Sequence, residues 1–279
     1  MNIAIAGATG FTGKRLSIFF QQQGVNITSI SRKELQNDEA LFKIIQHADV
    51  VINLAGATIN KAWTKQYKKE ILESRINTTK AIVNAINKIN DTSKLLINAS
   101  AVGIYSSDRL HDESSSSFAD NFLSEVCKQW EAEAQQTICK LTIIRLGIVI
   151  AENDGFVKTI KPIFKLGIGA VLGNGKQPMA WIHIEDLITA INYIINHNVL
   201  GIVNVVAPQI ITNKQFSKIY AKSINRLCLF SIPKIILKLI FGEKYIIMIE
   251  GQNVIPKKLN DANFKWNYDN IKKALNYDN

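Results

Sequence analysis

The sequence predicts an α/β protein: a doubly wound parallel sheet followed by a smaller C-terminal, substrate-side lobe. Three observations carry that prediction. Short runs rich in Ile and Val alternate with longer polar-periodic stretches through the first half of the chain. A glycine-rich turn, GATGFTG, lies between the first apolar run and the first helical stretch. The strict alternation then fades after about residue 150.

Taken in order, NIAIAG, VNITSIS, DVVINLAG, KLLINASAV and LTIIRLGIVI have strand length and strand composition. Between them, GKRLSIFFQQQ, TKQYKKEILESRINTTKAIVNAINK and NFLSEVCKQWEAEAQQ read as helices, and the Ser-rich HDESSSSFAD as a loop. Strand and helix repeated in this way give a Rossmann-like parallel sheet with helices on both faces. Further on, GIGAVLGNGKQPM is loop-like, WIHIEDLITAINYII enters a helix, GIVNVVA is another strand, and the remainder is mostly helical. Residues 1–150 therefore read as the nucleotide-binding core. Residues 151–279 read as the smaller lobe, with some segments returning to the core.

With 47% hydrophobic and 20% charged residues, the composition is that of a soluble globular protein. An excess of 33 Lys and Arg over 23 Asp and Glu gives a net charge of +10. No dense basic block appears, so the excess reads as a solvated surface that favours an anionic ligand over nucleic acid or a membrane. Cys127, Cys139 and Cys228 are odd in number and lack metal-like spacing. They suit a reducing cytoplasm and no metal site. The N-terminal apolar run is only a strand long, too short for a signal peptide. IPKIILKLIFGEKYIIMI is interrupted by Lys234, Lys238, Glu243 and Lys244. It reads as core-facing amphipathic helices, with a membrane-surface helix as the minor alternative, and not as a membrane span. The expected partner is a small molecule, with a homodimer left open.

GATGFTG runs from Gly7 through Ala8, Thr9, Gly10, Phe11 and Thr12 to Gly13, after a strand and at the opening of a helix. The first glycine permits the tight turn and the second lets backbone approach a pyrophosphate at the helix N-terminus. The third permits close helix–strand packing. In that context the turn points to a dinucleotide. The second strand ends in Ser31, Arg32 and Lys33. This set suits a 2′-phosphate and offers no acceptor to a ribose hydroxyl, so the cofactor expected is NADP(H). Asn53, Leu54, Ala55 and Gly56 end the third strand with small side chains that let backbone lie against ribose and phosphates. Glu70 and Ser74 share a helix face with Arg75 beside them. By spacing alone, Arg75 either reaches a phosphate or forms a surface ion pair.

These residues, with NASAVGIY, RLGIV, WIHIEDL, LGIGAVLGNGKQ, NVVAP, FGE and VIPKKL, resemble the extended short-chain dehydrogenase/reductases of the NAD-dependent epimerase/dehydratase group. The likeness is to an atypical epimerase-family branch. It implies a Rossmann-like core, a small C-terminal domain over the substrate cleft, and an oxidoreductase or epimerase acting on a nucleotide-sugar-like or other polar carbonyl compound. It also implies NADP-type contacts at Gly7 to Gly13, Ser31, Arg32, Leu54 to Gly56, Glu70, Arg75 and Ile148.

Typical relatives of that wider superfamily carry a Tyr, with a Lys four residues later, that exchanges a proton with the substrate oxygen. Here the comparable pair is Val126 and Trp130, on an apolar stripe with Leu123 and Ala134. Pairing Cys127 with Glu131 instead does not restore it. Tyr67, Tyr105, Tyr193, Tyr220, Tyr245 and Tyr268 all lack Lys at +4, and Tyr277 has no residue there. The resemblance leaves Ser100 as a carbonyl-binding or loop-capping hydroxyl and Tyr105 as a proton donor or a cleft wall. His183 and Asp186 read as structural, and Lys176 and Gln177 as an anion contact or turn decoration. A cofactor-binding regulator with little turnover is the alternative to an enzyme.

Overall fold

The computed structural model describes residues 1–152 and 154–276; Tyr277 lies outside them. The Ile- and Val-rich runs become strands, and the central ones find cover on both faces. β1 (Asn2–Ala6) is buried along its last four residues, and β3 (Val50–Asn53) along its whole length. β1 pairs in parallel with β2 (Asn26–Ile30) on one side and with β3 on the other. β3 pairs in parallel with β4 (Leu95–Ala101), which places Asn53 opposite Asn98. Strands Lys140–Leu146 and Gly201–Val205 extend the sheet beyond β4, giving six strands.

Five helices accompany the strands as far as residue 134: α1 (Phe11–Gln22), α2 (Arg32–Leu35), α3 (Asp38–Gln46), α4 (Lys65–Ile89) and α5 (Phe122–Ala134). Ala4, Ala6, Val51 and Leu96 face a cluster completed by Leu41 and Ile45 of α3 and Ile82, Val83 and Ile86 of α4. Strand alternation turns Ile3, Ile5, Val50 and Ile52 to the other face, where they are equally buried. Most of these helices open on a side-chain cap. Ser31, Asn37, Thr64 and Asn121 accept from backbone N–H groups of α2, α3, α4 and α5. α1 opens at Gly10, with no side-chain cap.

The chain forms two compact units. The first comprises residues 1–104, 120–145 and 188–203; the second comprises residues 105–119, 146–187 and 204–279. In the second, Phe164, Trp181, Phe216 and Tyr220 centre an aromatic core. Asp186 is buried there and accepts the backbone N–H groups of Asn267 and Tyr268 at 2.9 Å, and His183 packs on the Tyr268 ring. These residues tie the C-terminal segment down.

Two expectations change. LTIIRLGIVI is two strands, Lys140–Leu146 and Ile148–Ala151, parted at Gly147, where a β-carbon would lie 2.8 Å from the Ala180 carbonyl oxygen. The helix Lys234–Phe241 does not face a core. Of its eight residues only Leu237 is buried, while Ile235, Leu239 and Ile240 are 68%, 80% and 65% exposed. The helical period is present, but most of the stripe it aligns is exposed among the described residues.

Candidate functional site

The strand order β2–β1–β3–β4 reverses direction at β1 and β3. The segments leaving the carboxyl ends of those two strands therefore emerge side by side, in the crevice where open α/β sheets take ligands. The first is the turn Gly7–Gly13; the second is Leu54–Gly56. Gly7 has φ +84°, and a β-carbon there would come within 3.0 Å of Leu54 and Ala55 backbone. At Gly13 it would collide with the Gly7 carbonyl oxygen. The third glycine thus serves the closure of the turn itself, more than the helix–strand packing expected of it. Gly10 N–H closes the turn on Gly7 O at 3.0 Å. The first N–H groups of a helix have no partner within it. With no side-chain cap and no acidic residue in its first turn, α1 presents Phe11, Thr12 and Gly13 backbone as an anion-binding end. That geometry fits a pyrophosphate. Ala8 lies buried in the turn and Thr9 is exposed.

The second segment is braced by α4. Ser74 Oγ accepts the Ala57 N–H at 2.9 Å, and Arg75 Nη1 donates to Ala57 O at 3.2 Å and Ile71 O at 2.9 Å. A β-carbon on Gly56 would lie 2.9 Å from the Arg75 guanidinium carbon, so the glycine is what admits Arg75. The guanidinium also stacks over Trp130 at 5.2 Å, and burial pushes its pKa below the ordinary range. Arg75 is therefore a brace of the 54–57 segment, not half of a surface ion pair. Glu70 is exposed on the same helix.

At the end of β2, Ser31 caps α2, and Glu34 folds back to accept the Ser31 N–H at 2.8 Å and its hydroxyl. Arg32 and Lys33 are exposed beside it. The expectation that this end offers no acceptor is corrected: Glu34 supplies a carboxylate, held below the usual carboxylate range chiefly by the Ser31 hydroxyl. Ile148, the remaining expected cofactor contact, lies in the second unit on the strand paired with Trp181–His183.

The superfamily's proton-handling position is filled differently from the sequence alignment. Val126 packs with Tyr67 and Ile71. Trp130 donates its indole N–H to Thr79 Oγ1 at 2.9 Å, within a buried cluster where Asn53 Nδ2 donates to both Thr79 and Asn98. Neither faces Ser100. The pair that does is one residue later, Cys127 and Glu131. Ser100 Oγ donates to Glu131 Oε1 at 2.6 Å. Arg145 grips the same carboxylate twice, Nε to Oε1 at 2.8 Å and Nη2 to Oε2 at 2.7 Å. Cys127, enclosed beside Ser100, has its pKa pushed up to about 11 by burial and then by the Glu131 charge. It is a neutral thiol at working pH.

Sequence reading missed Glu131 and Arg145 as partners, although a signal existed. Arg145 interrupts the otherwise apolar run LTIIRLGIVI, and a buried guanidinium requires a carboxylate. Tyr105, in the second unit, is fully buried. Its hydroxyl bonds to Asn204 Oδ1 at 2.9 Å and Asp112 O at 3.1 Å, and its ring stacks on His111. A phenol held in this way fits the hydrogen-bonded wall that is the alternative to a proton donor. Gln177 Nε2 donates to Leu172 O and Met248 O, so it organises its turn, while Lys176 is exposed. Among the described residues no three His, Cys, Asp or Glu side chains converge as a metal site.

Comparisons with known proteins agree with this architecture. Residues 3–206 match the NAD dependent epimerase/dehydratase family, and residues 232–277 match a domain of unknown function, DUF1731. The chain is 33% identical over 294 residues to the epimerase family protein YfhF of Bacillus subtilis, covering 99% of this chain and 97% of that one. It is 34% identical over 289 residues to the epimerase family protein SA0724 of Staphylococcus aureus, covering 97% and 96%. Among solved structures, the human epimerase family protein SDR39U1, determined with NADPH, superposes with a TM-score of 0.87 at 27% identity, over 99% of this chain and 98% of that one. A Rossmann-like fold, an uncapped glycine turn at the strand-order reversal and an end-to-end match converge on one conclusion: the chain belongs to the NAD-dependent epimerase/dehydratase family.

Proposed function

We propose that the protein is a cytoplasmic NADP(H)-dependent oxidoreductase of epimerase type, acting on a polar hydroxyl or carbonyl compound such as a nucleotide sugar. The observation that carries the reading is the turn Gly7–Gly13 lying against Leu54–Ala55 at the point where the strand order reverses. In this reading backbone of Phe11 to Gly13 holds the pyrophosphate, Leu54 to Gly56 lie along the ribose, and Ser31 with Arg32 meets the 2′-phosphate. Arg75 keeps the 54–57 segment in place, and Glu70 borders it. A relative solved with NADPH supports the phosphorylated cofactor, and three free cysteines suit a reducing compartment.

A bound nicotinamide supplies a hydride donor or acceptor. The chain's own part is to position the oxygen of the substrate and manage its proton. Ser100 is the candidate group, and its state sets a direction. Its one proton is committed to Glu131, so its free lone pairs accept a hydrogen bond. The ground state therefore fits a substrate hydroxyl better than a carbonyl. Glu131, fixed by Arg145, is a positioning residue that orients the Ser100 hydroxyl. The neutral Cys127 thiol is a weak donor at its side. With no ionised Tyr in place, acid–base assistance worth typically 10² to 10⁴-fold is reduced, and slow turnover is expected.

The enclosure of the Tyr105 hydroxyl favours a second reading, a cofactor-binding regulator with little turnover. Titration with NADPH, followed by single-turnover mixing of the NADP+-loaded protein with sugar nucleotides and other polar alcohols and of the NADPH-loaded protein with carbonyl compounds, separates the two. Saturable binding with slow cofactor reduction or oxidation that Ser100→Ala abolishes supports the enzyme. Binding without any turnover supports the regulator, and absence of NADPH binding overturns both.

A further inference from the structure

Charge and exposed apolar surface concentrate in the same part of the second unit. Segments 155–176 and 213–244 hold eleven of the chain's 33 basic residues and one of its 23 acidic residues, Glu243, leaving 22 of each sign elsewhere. The whole net charge of +10 therefore belongs to these two segments. They are neighbours: strand Phe230–Ile232 pairs in parallel with Ala170–Leu172, and Arg226 Nε donates to Lys165 O at 2.9 Å. A shallow pocket on this surface is lined by Gly167, Lys222, Asn225, Arg226, Leu227 and Leu229.

The same segments carry eleven of the eighteen large hydrophobic side chains that are exposed among the described residues. Leu166, Leu227 and Leu229 stand out from two adjoining loops, each more than two-thirds exposed. In the helix Lys234–Phe241, Ile235 and Leu239 form one exposed row and Ile236 and Ile240 the next, with Lys234 and Lys238 along the flank. Apolar side chains edged by long cationic ones are the arrangement of a helix lying in a membrane interface, with aliphatic groups inserted and ammonium groups reaching headgroup level. A patch of this extent is rare on a monomer without a partner.

We propose that this face docks the protein on an anionic lipid surface. Charge decides between the possible occupants. A second copy meeting the first through the same face would bring one basic surface against another, which like-charge repulsion opposes. An anionic bilayer meets the basic groups with opposite charge and the aliphatic ones with hydrocarbon. No helix of the described residues is long and apolar enough to cross a membrane, so the contact is peripheral. This inference does not depend on the proposed reaction.

The test is sedimentation of the full chain with vesicles of phosphatidylcholine alone or with about 30% phosphatidylserine, a proportion that gives a negative surface potential. The expected result is at least about tenfold more binding to the anionic vesicles, falling toward the neutral level at about 0.5 M salt, where screening is nearly complete. Leu239→Glu and the pair Lys234→Gln, Lys238→Gln should each remove most of the binding, and Ile18→Glu, on α1, should not. Circular dichroism and NADPH titration check that the variants stay folded. Equal binding to neutral and anionic vesicles overturns the proposal. So does no binding to either, or sedimentation equilibrium showing a dimer that Leu239→Glu dissociates.

Discussion

Two strand ends at the carboxyl edge of the first unit's sheet treat polar groups in opposite ways. At Gly7–Gly13 the donors are backbone, the helix end is uncapped, and its N–H groups have no partner within the helix. At Ser100 the polar groups are side chains already satisfied by each other: a hydroxyl on a carboxylate, and that carboxylate in a two-point grip from Arg145. The first end is built to wait for a ligand. The second is closed, and a substrate oxygen must join a network that is complete without it. The contrast explains how a chain can keep a family's cofactor cradle while its acid–base position turns inward.

The largest effect that would break this comparison lies in the closed end. Removing one partner of a buried ion pair strands the other charge, which costs about 3–5 kcal/mol. Glu131→Leu should lower unfolding stability by that amount in urea titration. Glu131→Leu combined with Arg145→Met should recover most of the loss, since neither charge then remains. A single variant as stable as the parent would mean that the network is open and solvated.

The open end predicts the reverse pattern, lost binding with stability kept. A β-carbon on Gly10 would lie 3.3 Å from the Gly7 carbonyl oxygen, close but not colliding. Gly10→Val should therefore raise the NADPH Kd about a hundredfold, roughly 2.7 kcal/mol, with the melting temperature of the free protein nearly unchanged. Normal NADPH binding by that variant would remove the turn from the site.

Cys127 sharpens the comparison through pH. Its thiol titrates near 11 in the folded protein, above its ordinary value of 9.0. The folded chain thus holds a proton that the unfolded chain releases. Its contribution to stability is fully present below about pH 9 and is lost as pH rises toward about 11. Chemical denaturation at intervals across that range should show the decline, and Cys127→Ala should flatten it. A decline of equal slope in the variant would assign it to other groups.

Much of the open end was legible in the sequence because backbone geometry writes itself into residue type. Glycine at Gly7 and Gly13 answers a positive φ and a close approach, and the β1 run preceding GATGFTG fixes its place. The closed end was harder to read for a physical reason. Ser100, Cys127, Glu131 and Arg145 come from three elements, and which helix face meets Ser100 depends on a rotation of one residue along α5. The apolar stripe through Val126 and Trp130 is real, yet it packs toward Tyr67 and Thr79. Period alone cannot say which of two adjoining faces meets the strand end. The same limit hid the exposure of Ile235 and Leu239, because an amphipathic pattern records a stripe and not what covers it.

The smallest effect concerns the nucleotide's 2′ position, where the open end is least uniform in charge. Arg32 offers a cation, but the Glu34 carboxylate reaches Ser31 from the same short helix and is held ionised by it. A 2′-phosphate arriving at Ser31 gains Arg32 and is opposed by Glu34, whereas a 2′-hydroxyl would find in Glu34 an acceptor. The two influences partly cancel, so NADPH should bind only about tenfold more tightly than NADH at low salt. Arg32→Asp should erase that preference, and Glu34→Gln should widen it several-fold, since the amide still accepts from Ser31 without repelling phosphate. Both are exposed groups, so the preference should shrink at about 0.5 M salt as screening sets in. Parallel titrations with the two cofactors measure it. A preference unchanged by Glu34→Gln would show that Glu34 swings clear when the nucleotide binds, leaving Arg32 alone to set the choice.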